Sequence, residues 1–310
     1  MLRARAGTSR KALSNEGIDE LNRPRSRLLA LPAIVIVAVI TQAPILVTIG
    51  LSLVQWIVVR PDLGITFVGL NNYFDILVTR DFYSVVLNTA LITLTSLAAC
   101  TVLGILFGLM LNQDFPGVSI VRTLIISPFF VMDAVAGIIW RTMMLNSSFG
   151  FNESIASLLG IKPVDFFGVY SLLTIIILIV WQWTPFFVLI MLAGFRSISV
   201  EIADSARVDG AGWWRELLAI RLPIIMNHIE VAILLGMIFV LKVFGLIFVT
   251  TRGGPGYSSA NLPFYVFRLA FLGWDVGHAA ALAVVTVAIT LAAIFVLFRW
   301  FRRRFAETAS

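Results

Sequence analysis

Few residues in this chain are of a type that does chemistry, and their spacing narrows the choice quickly. Its histidines are His228 and His278 and its one cysteine is Cys100, so no zinc or iron–sulfur ligand set is spaced along it. The three lysines, Lys11, Lys162 and Lys242, are followed by Ala12, Pro163 and Val243. A Walker A loop needs Gly-Lys followed by Ser or Thr, because that lysine reaches the β- and γ-phosphates. None of the three qualifies. No Ser/His/Asp, Cys/His or paired-carboxylate constellation takes its place, so we assign no catalytic residue, no metal and no cofactor to this chain. Recognition chemistry remains, in two places: the charged, small-residue segment Glu201-Ile202-Ala203-Asp204-Ser205-Ala206-Arg207-Val208-Asp209-Gly210, and a few polar residues inside apolar runs.

The polar residues at apolar depth are Asp133, Arg141, Lys242 and Gln182, the last flanked by Trp181 and Trp183. An ionisable group there is costly and faces a bundle interior or a water-filled cavity. Asp133 reads either as an acceptor for a substrate hydroxyl or as a partner or cap for another helix. Arg141 lies two turns further on, too far along a straight helix for a direct pair. Lys242 serves as an interior partner or snorkels outward. Gln182 with Trp181 and Trp183 offers an amide on an aromatic platform, or packs. Asn88 and Thr89 cap or bridge helices, and Cys100 is a buried, inert thiol.

The elements that must position these residues are membrane spans. The 310 residues are 59% hydrophobic and 13% charged, against roughly 45–50% and about 25% in soluble domains, and mean hydropathy is +0.97. About 20 apolar residues cross a bilayer as a helix. Six segments suffice: 28–53, 88–111, 124–145, 171–195, 223–249 and 278–301. The first is too long for a signal peptide and reads as a retained anchor. The expected fold class is all-α: a polytopic membrane protein of six transmembrane helices, with a helix-bearing cytoplasmic loop, 196–223, between the fourth and fifth. A basic tail, 1–27, precedes the membrane domain 28–301, and a short tail, 302–310, follows it. The net charge of +6 orients the chain in a bilayer rather than marking a nucleic-acid binder, since the bases flank apolar runs. Sixteen Lys/Arg fall on the side of both termini and of the loop, and five on the other, which puts termini and loop in the cytoplasm. Turn signals at Gly69-Leu-Asn-Asn72 and Gly253-Gly-Pro-Gly256 make the outer segments short connectors.

Within the loop, Ser199 suits an N-cap and Glu201 the positive end of the helix dipole. Ala203, Ala206 and Gly210 make one face small enough for close backbone approach, with Asp204 and Arg207 paired beside it. Gly210 suits a left-handed stop. A second helix carrying Trp213, Leu217, Leu218 and Ile220 ends at Pro223, which opens the next span.

Asp204-Ser205-Ala206, three residues, Gly210, nine residues, Ile220-Arg221-Leu222-Pro223 resembles the Glu-Ala-Ala signature loop of permease subunits of bacterial binding-protein-dependent ABC importers, with every spacing intact. Asp stands for Glu and Ser for the first Ala. Phe67-Val-Gly-Leu-Asn-Asn-Tyr73, Trp181-Gln-Trp-Thr-Pro185, Ala211 and Thr251-Arg-Gly-Gly-Pro255 are similar to the sugar and polyol, maltose-type branch, in which Val200 stands where proline is common and Gly245 where aspartate is common. The resemblance implies a type I permease fold and alternating access. It also implies a second homologous permease, two ATPase subunits that bind ATP and Mg, an extracytoplasmic solute-binding protein and a carbohydrate or polyol substrate. Glu201 to Gly210 would couple to the ATPase, and Asp133, Trp181, Gln182 and Trp183 would line the pathway. An ion-coupled secondary transporter using Asp133 and Lys242 is the competing expectation, and it leaves the loop without a purpose.

Overall fold

The computed structural model describes residues 24–199, 201–202, 205 and 212–308. Helices dominate, as the composition requires. The first, α1 (Pro24–Ser52), leads into a minimal antiparallel pair, β1 (Val54–Gln55) and β2 (Thr66–Phe67). Then come α2 (Asn71–Val78), α3 (Arg80–Leu111), α4 (Val118–Ile126), α5 (Asp133–Ile138), α6 (Phe151–Leu159) and α7 (Ser171–Arg196). The loop carries α8 (Trp213–Glu216), and after it follow α9 (Met226–Leu241), α10 (Gly245–Val249), α11 (Leu262–Phe267) and α12 (Val276–Thr308).

Among the described residues five helical spans are long and apolar enough to cross a membrane, with mean hydropathy between 2.2 and 2.8, and a sixth is assembled from a bent pair. The spans expected at 28–53, 171–195 and 278–301 are found with nearly those bounds. The second begins earlier, at Arg80, because a charged first turn extends a helix beyond its apolar window.

The third and fifth spans depart from the expectation of continuous helices. Residues Val118–Phe130 and Asp133–Met144 meet at 98°. Between them Val131 and Met132 are extended (φ −82, ψ 126 and φ −64, ψ 139). The fifth span runs Met226–Val249 but breaks between α9 and α10, where Phe244 takes φ −133, ψ −52. Lys242 therefore sits exposed at this break, not inside a helix.

The core lies where α3, α7 and α9 meet. Phe187, fully buried on α7, lies at its centre because two glycines make room. A Cβ at Gly104 of α3 would stand 2.7 Å from Phe187 Cβ, and one at Gly236 of α9 would stand 2.5 Å from Phe187 Cζ. Gly108, one turn on, admits Met191 in the same way. Close approach through small residues is the general means of helix association in lipid, where apolar burial gives no driving force between helices. At the end of α1, Asn72 donates to the carbonyls of Ser52 and Val54 at 2.9 Å each, and Ser52 bonds the Tyr73 hydroxyl at 2.6 Å. These bonds tie α1 to α2, and Gly69 supplies the left-handed turn (φ 57) between β2 and α2. Cys100 is buried, as expected.

Candidate functional site

A broken helix at membrane depth frees carbonyls that lipid cannot satisfy, so the break persists only where protein supplies donors. Here each break receives a buried side-chain amide. Gln182 of α7 donates Nε2 to the Val131 carbonyl at 2.8 Å and to Asp133 Oδ1 at 2.9 Å. Asn261 donates Nδ2 to the Val243 carbonyl at 2.6 Å, while its Oδ1 caps α11 by accepting from the Phe264 amide at 3.1 Å. The two breaks face one another. A Cβ at Gly245 would lie 3.1 Å from Asp133 Cβ, and one at Gly137 would lie 3.2 Å from Val249 Cβ. Arg141 Nη1 donates to the Val249 carbonyl at 2.7 Å. Half-helices α5 and α10 are thereby knitted into one unit.

The structure thus brings Asp133 and Gln182 together. Among the described residues no ion pair joins Asp133 to Arg141 or to Lys242. Arg141 serves a helix end, and Lys242 Nζ lies 4.8 Å over the Phe239 ring. A charge relay between Asp133 and Lys242 has no contact to run through.

The two tryptophans beside Gln182 part company. Trp181 meets Trp140 edge to face at 5.3 Å. Trp183 stacks on Phe239 at 4.8 Å and meets Phe129 and Phe186 edge-on at 5.6 and 6.2 Å. Lys242, Phe239 and Trp183 form one column. The indole N–H groups of Trp140 and Trp183 are buried, and neither donates to any described residue. Aromatic side chains and unspent indole donors suit a ligand that presents C–H faces and hydroxyls. Phe129, Phe186, Phe239 and Asn261 were not singled out from the sequence. Asn261, two residues before Pro263, carries an N-cap signature that could have marked it.

Thr89 bridges helices, one of its two expected roles, while Asn88 ties α3 to the turn before α11. Asn88 Nδ2 donates to the Tyr257 carbonyl at 2.7 Å, and Thr89 Oγ1 accepts from the Leu262 amide at 3.0 Å. At the start of α12 His278 Nδ1 pairs with Asp275 at 2.9 Å and Nε2 reaches Asp75 at 3.4 Å. Burial alone pushes the Asp275 carboxyl up, but hydrogen bonds and charge from His278 hold it below the usual range.

In the loop, Glu201, Ile202 and Ser205 are helical and exposed. Ala203, Asp204, Ala206, Arg207, Asp209 and Gly210, expected to complete the docking face, lie outside the described residues. Beyond them Trp213 and Trp214 are exposed and meet edge to face at 4.4 Å.

Comparison with known proteins bears on this architecture. Residues 101–307 match the family model described as the binding-protein-dependent transport system inner membrane component. A probable ABC transporter permease protein of Sinorhizobium fredii is 32% identical over 84% of this chain and 85% of its own length. The trehalose/maltose transport system permease protein of Thermococcus litoralis is 32% identical over 85% of this chain and 89% of its own. A sulfoquinovosyl glycerol transport system permease of Agrobacterium fabrum is 27% identical over 93% of this chain and 97% of its own. A chain in the crystal structure of a bacterial ABC transporter that imports the acidic polysaccharide alginate shares the fold. Its TM-score is 0.76 at 22% identity, over 93% of this chain and 99% of that one. This chain belongs to the family of binding-protein-dependent transport system inner membrane components: it is a multi-pass permease subunit of an ABC importer.

Proposed function

We propose that the chain forms half of a translocation pathway for a carbohydrate or polyol. One observation carries the substrate class: the Trp183–Phe239 stack, whose Trp183 follows directly on the Gln182 that holds Asp133. Aromatic faces accept sugar C–H groups, while the indole N–H donors and the carboxyl meet hydroxyls. The trehalose/maltose and sulfoquinovosyl glycerol permeases among its relatives support the same class.

The pathway's other half comes from a second, homologous permease. Two ATPase subunits, which bind ATP and Mg, drive the cycle, and an extracytoplasmic binding protein delivers substrate. Closure of the ATPases moves the loop 196–223 through Glu201 to Gly210, and the pore opens outward. Sixteen against five basic residues support a cytoplasmic loop and cytoplasmic termini. The missing Walker lysine supports a separate motor.

The test is uptake by the complete transporter in proteoliposomes across trehalose, maltose, mannitol and sorbitol. An aromatic contact contributes about 0.5–1.5 kcal/mol beyond its burial, so Trp183→Ala and Phe239→Ala should each lower uptake of the transported compound about 3–10-fold. Uptake and preference unchanged across the panel in both variants would sink the platform.

A further inference from the structure

The loop reaches α9 through a short, irregular passage. After α8 the chain widens into a π turn over Leu217–Arg221, takes one α turn over Leu222–Ile224, then bends at Ile225 (φ −90, ψ 9) into α9. Pro223 gives the physical reason. It lacks an N–H, so the Ala219 carbonyl has no α-type donor. The preceding turn answers with a wider bond instead, from the Leu222 amide to the Leu217 carbonyl.

The wider turn has a geometric effect. In an α-helix residues five apart sit about 140° from one another. A π turn holds roughly 4.4 residues, which brings them within about 50°. Glu216 and Arg221 are five apart, and here they meet: Arg221 Nε donates to Glu216 Oε1 at 2.8 Å and Nη2 bonds the same oxygen. The carboxyl side chain is 6% exposed and the guanidinium 23%. Leu217, between them in sequence, is buried.

We infer that the Glu216–Arg221 pair is a brace that makes the passage from loop to α9 rigid, so that displacement of the loop arrives at the fifth span. Both are positioning residues for coupling. This rests on the loop's coupling role proposed above. Burial argues for geometry over stability. A buried ion pair replaced by apolar side chains of similar volume is often neutral or stabilising, so simple cohesion does not call for this one. Helices kink at π turns, so without a cross-link this one can bend. With the link in place it transmits.

The experiment uses the complete transporter in proteoliposomes and reads the ratio of binding-protein-stimulated to basal ATPase together with uptake per ATP. The paired variant Glu216→Met with Arg221→Met should assemble, but its ratio should fall at least threefold. The exchanged variant Glu216→Arg with Arg221→Glu should recover at least half of the unsubstituted ratio. A structural role predicts the reverse, with assembly altered and the ratio kept. A Met pair that couples within a factor of 1.5 of the unsubstituted complex overturns the brace, as does an exchanged pair that fails to assemble or to recover coupling. Gly210→Pro is the control for the loop. If it lowers the ratio while the Met pair does not, the brace alone is wrong. If it leaves the ratio unchanged, the coupling role of the loop fails and the brace fails with it.

Discussion

Replacing Gln182 by Leu removes two interhelical hydrogen bonds at once, those to the Val131 carbonyl at 2.8 Å and to Asp133 at 2.9 Å. Interhelical side-chain bonds in membranes average about 0.6 kcal/mol and reach about 1.7, so the loss should total about 1–3 kcal/mol. At roughly 2 °C per kcal/mol for a chain of this size, the thermal midpoint should fall by about 2–6 °C. The midpoint is read by tryptophan fluorescence on the detergent-purified transporter. A double-mutant cycle with Asp133→Ala separates the two bonds. The double variant keeps the loss at Val131 but counts the Asp133 bond once, so its drop should be smaller than the summed single drops by about 1–3 °C. If Gln182→Leu shifts the midpoint by less than about 1 °C, or if the two substitutions are strictly additive, the amide does not hold the break. The account of how the third span stays bent then fails.

Two other perturbations test the packing and the start of α12. Gly236→Ala places a methyl 2.5 Å from Phe187 Cζ and 3.1 Å from Leu97 Cδ2, and should cost about 1–3 kcal/mol by overpacking. Adding Phe187→Leu should recover part of that loss in the same melting assay, and no recovery would contradict the contact. The Asp275 carboxyl is held below its ordinary value by His278, so its contribution is present above the unfolded value, near 3.9, and is lost as pH falls through the folded one. Asp275→Asn should therefore narrow the stability gap to the parent as pH falls below about 4. A gap that does not change with pH would refute the pairing.

Much of the fold was legible in the sequence because lipid imposes one simple rule on composition and length. The span at 171–195 was found at Ser171–Arg196, since nothing interrupts its apolar run. Hydropathy could not see the 98° bend in the third span, because a bent pair and a straight helix have the same composition. Nor could it see the break after Leu241, where no proline or glycine pair stands and Asn261, distant in sequence, holds the Val243 carbonyl. For the site, Asp133 and Gln182 announced themselves as polar residues at apolar depth. Phe186 and Phe239 did not, because a phenylalanine in a span reads as packing until its stacking partner is known. Gly104-Ile-Leu-Phe-Gly108 was legible but passed over: its small-xxx-small spacing is a readable sign of a close helix contact.

The first helix touches the rest of the membrane domain mainly along the last one. Pro44, Ile45, Thr48 and Ile49 of α1 border an apolar groove with Ala283, Val284 and Val287 of α12. From Pro44 to Ala283 is 239 residues. At synthesis rates of about 5–20 residues per second, α1 waits in the bilayer for roughly 10–50 s before its partner leaves the ribosome. During that interval the bonds at its end to α2 are what hold it to the rest of the domain. Its Leu31–Ser52 stretch, with a mean hydropathy of 2.4, is apolar enough to stay in lipid meanwhile. The order of biogenesis is thus set by the fold: α1 meets the helix it packs along most, α12, only once that helix has been made.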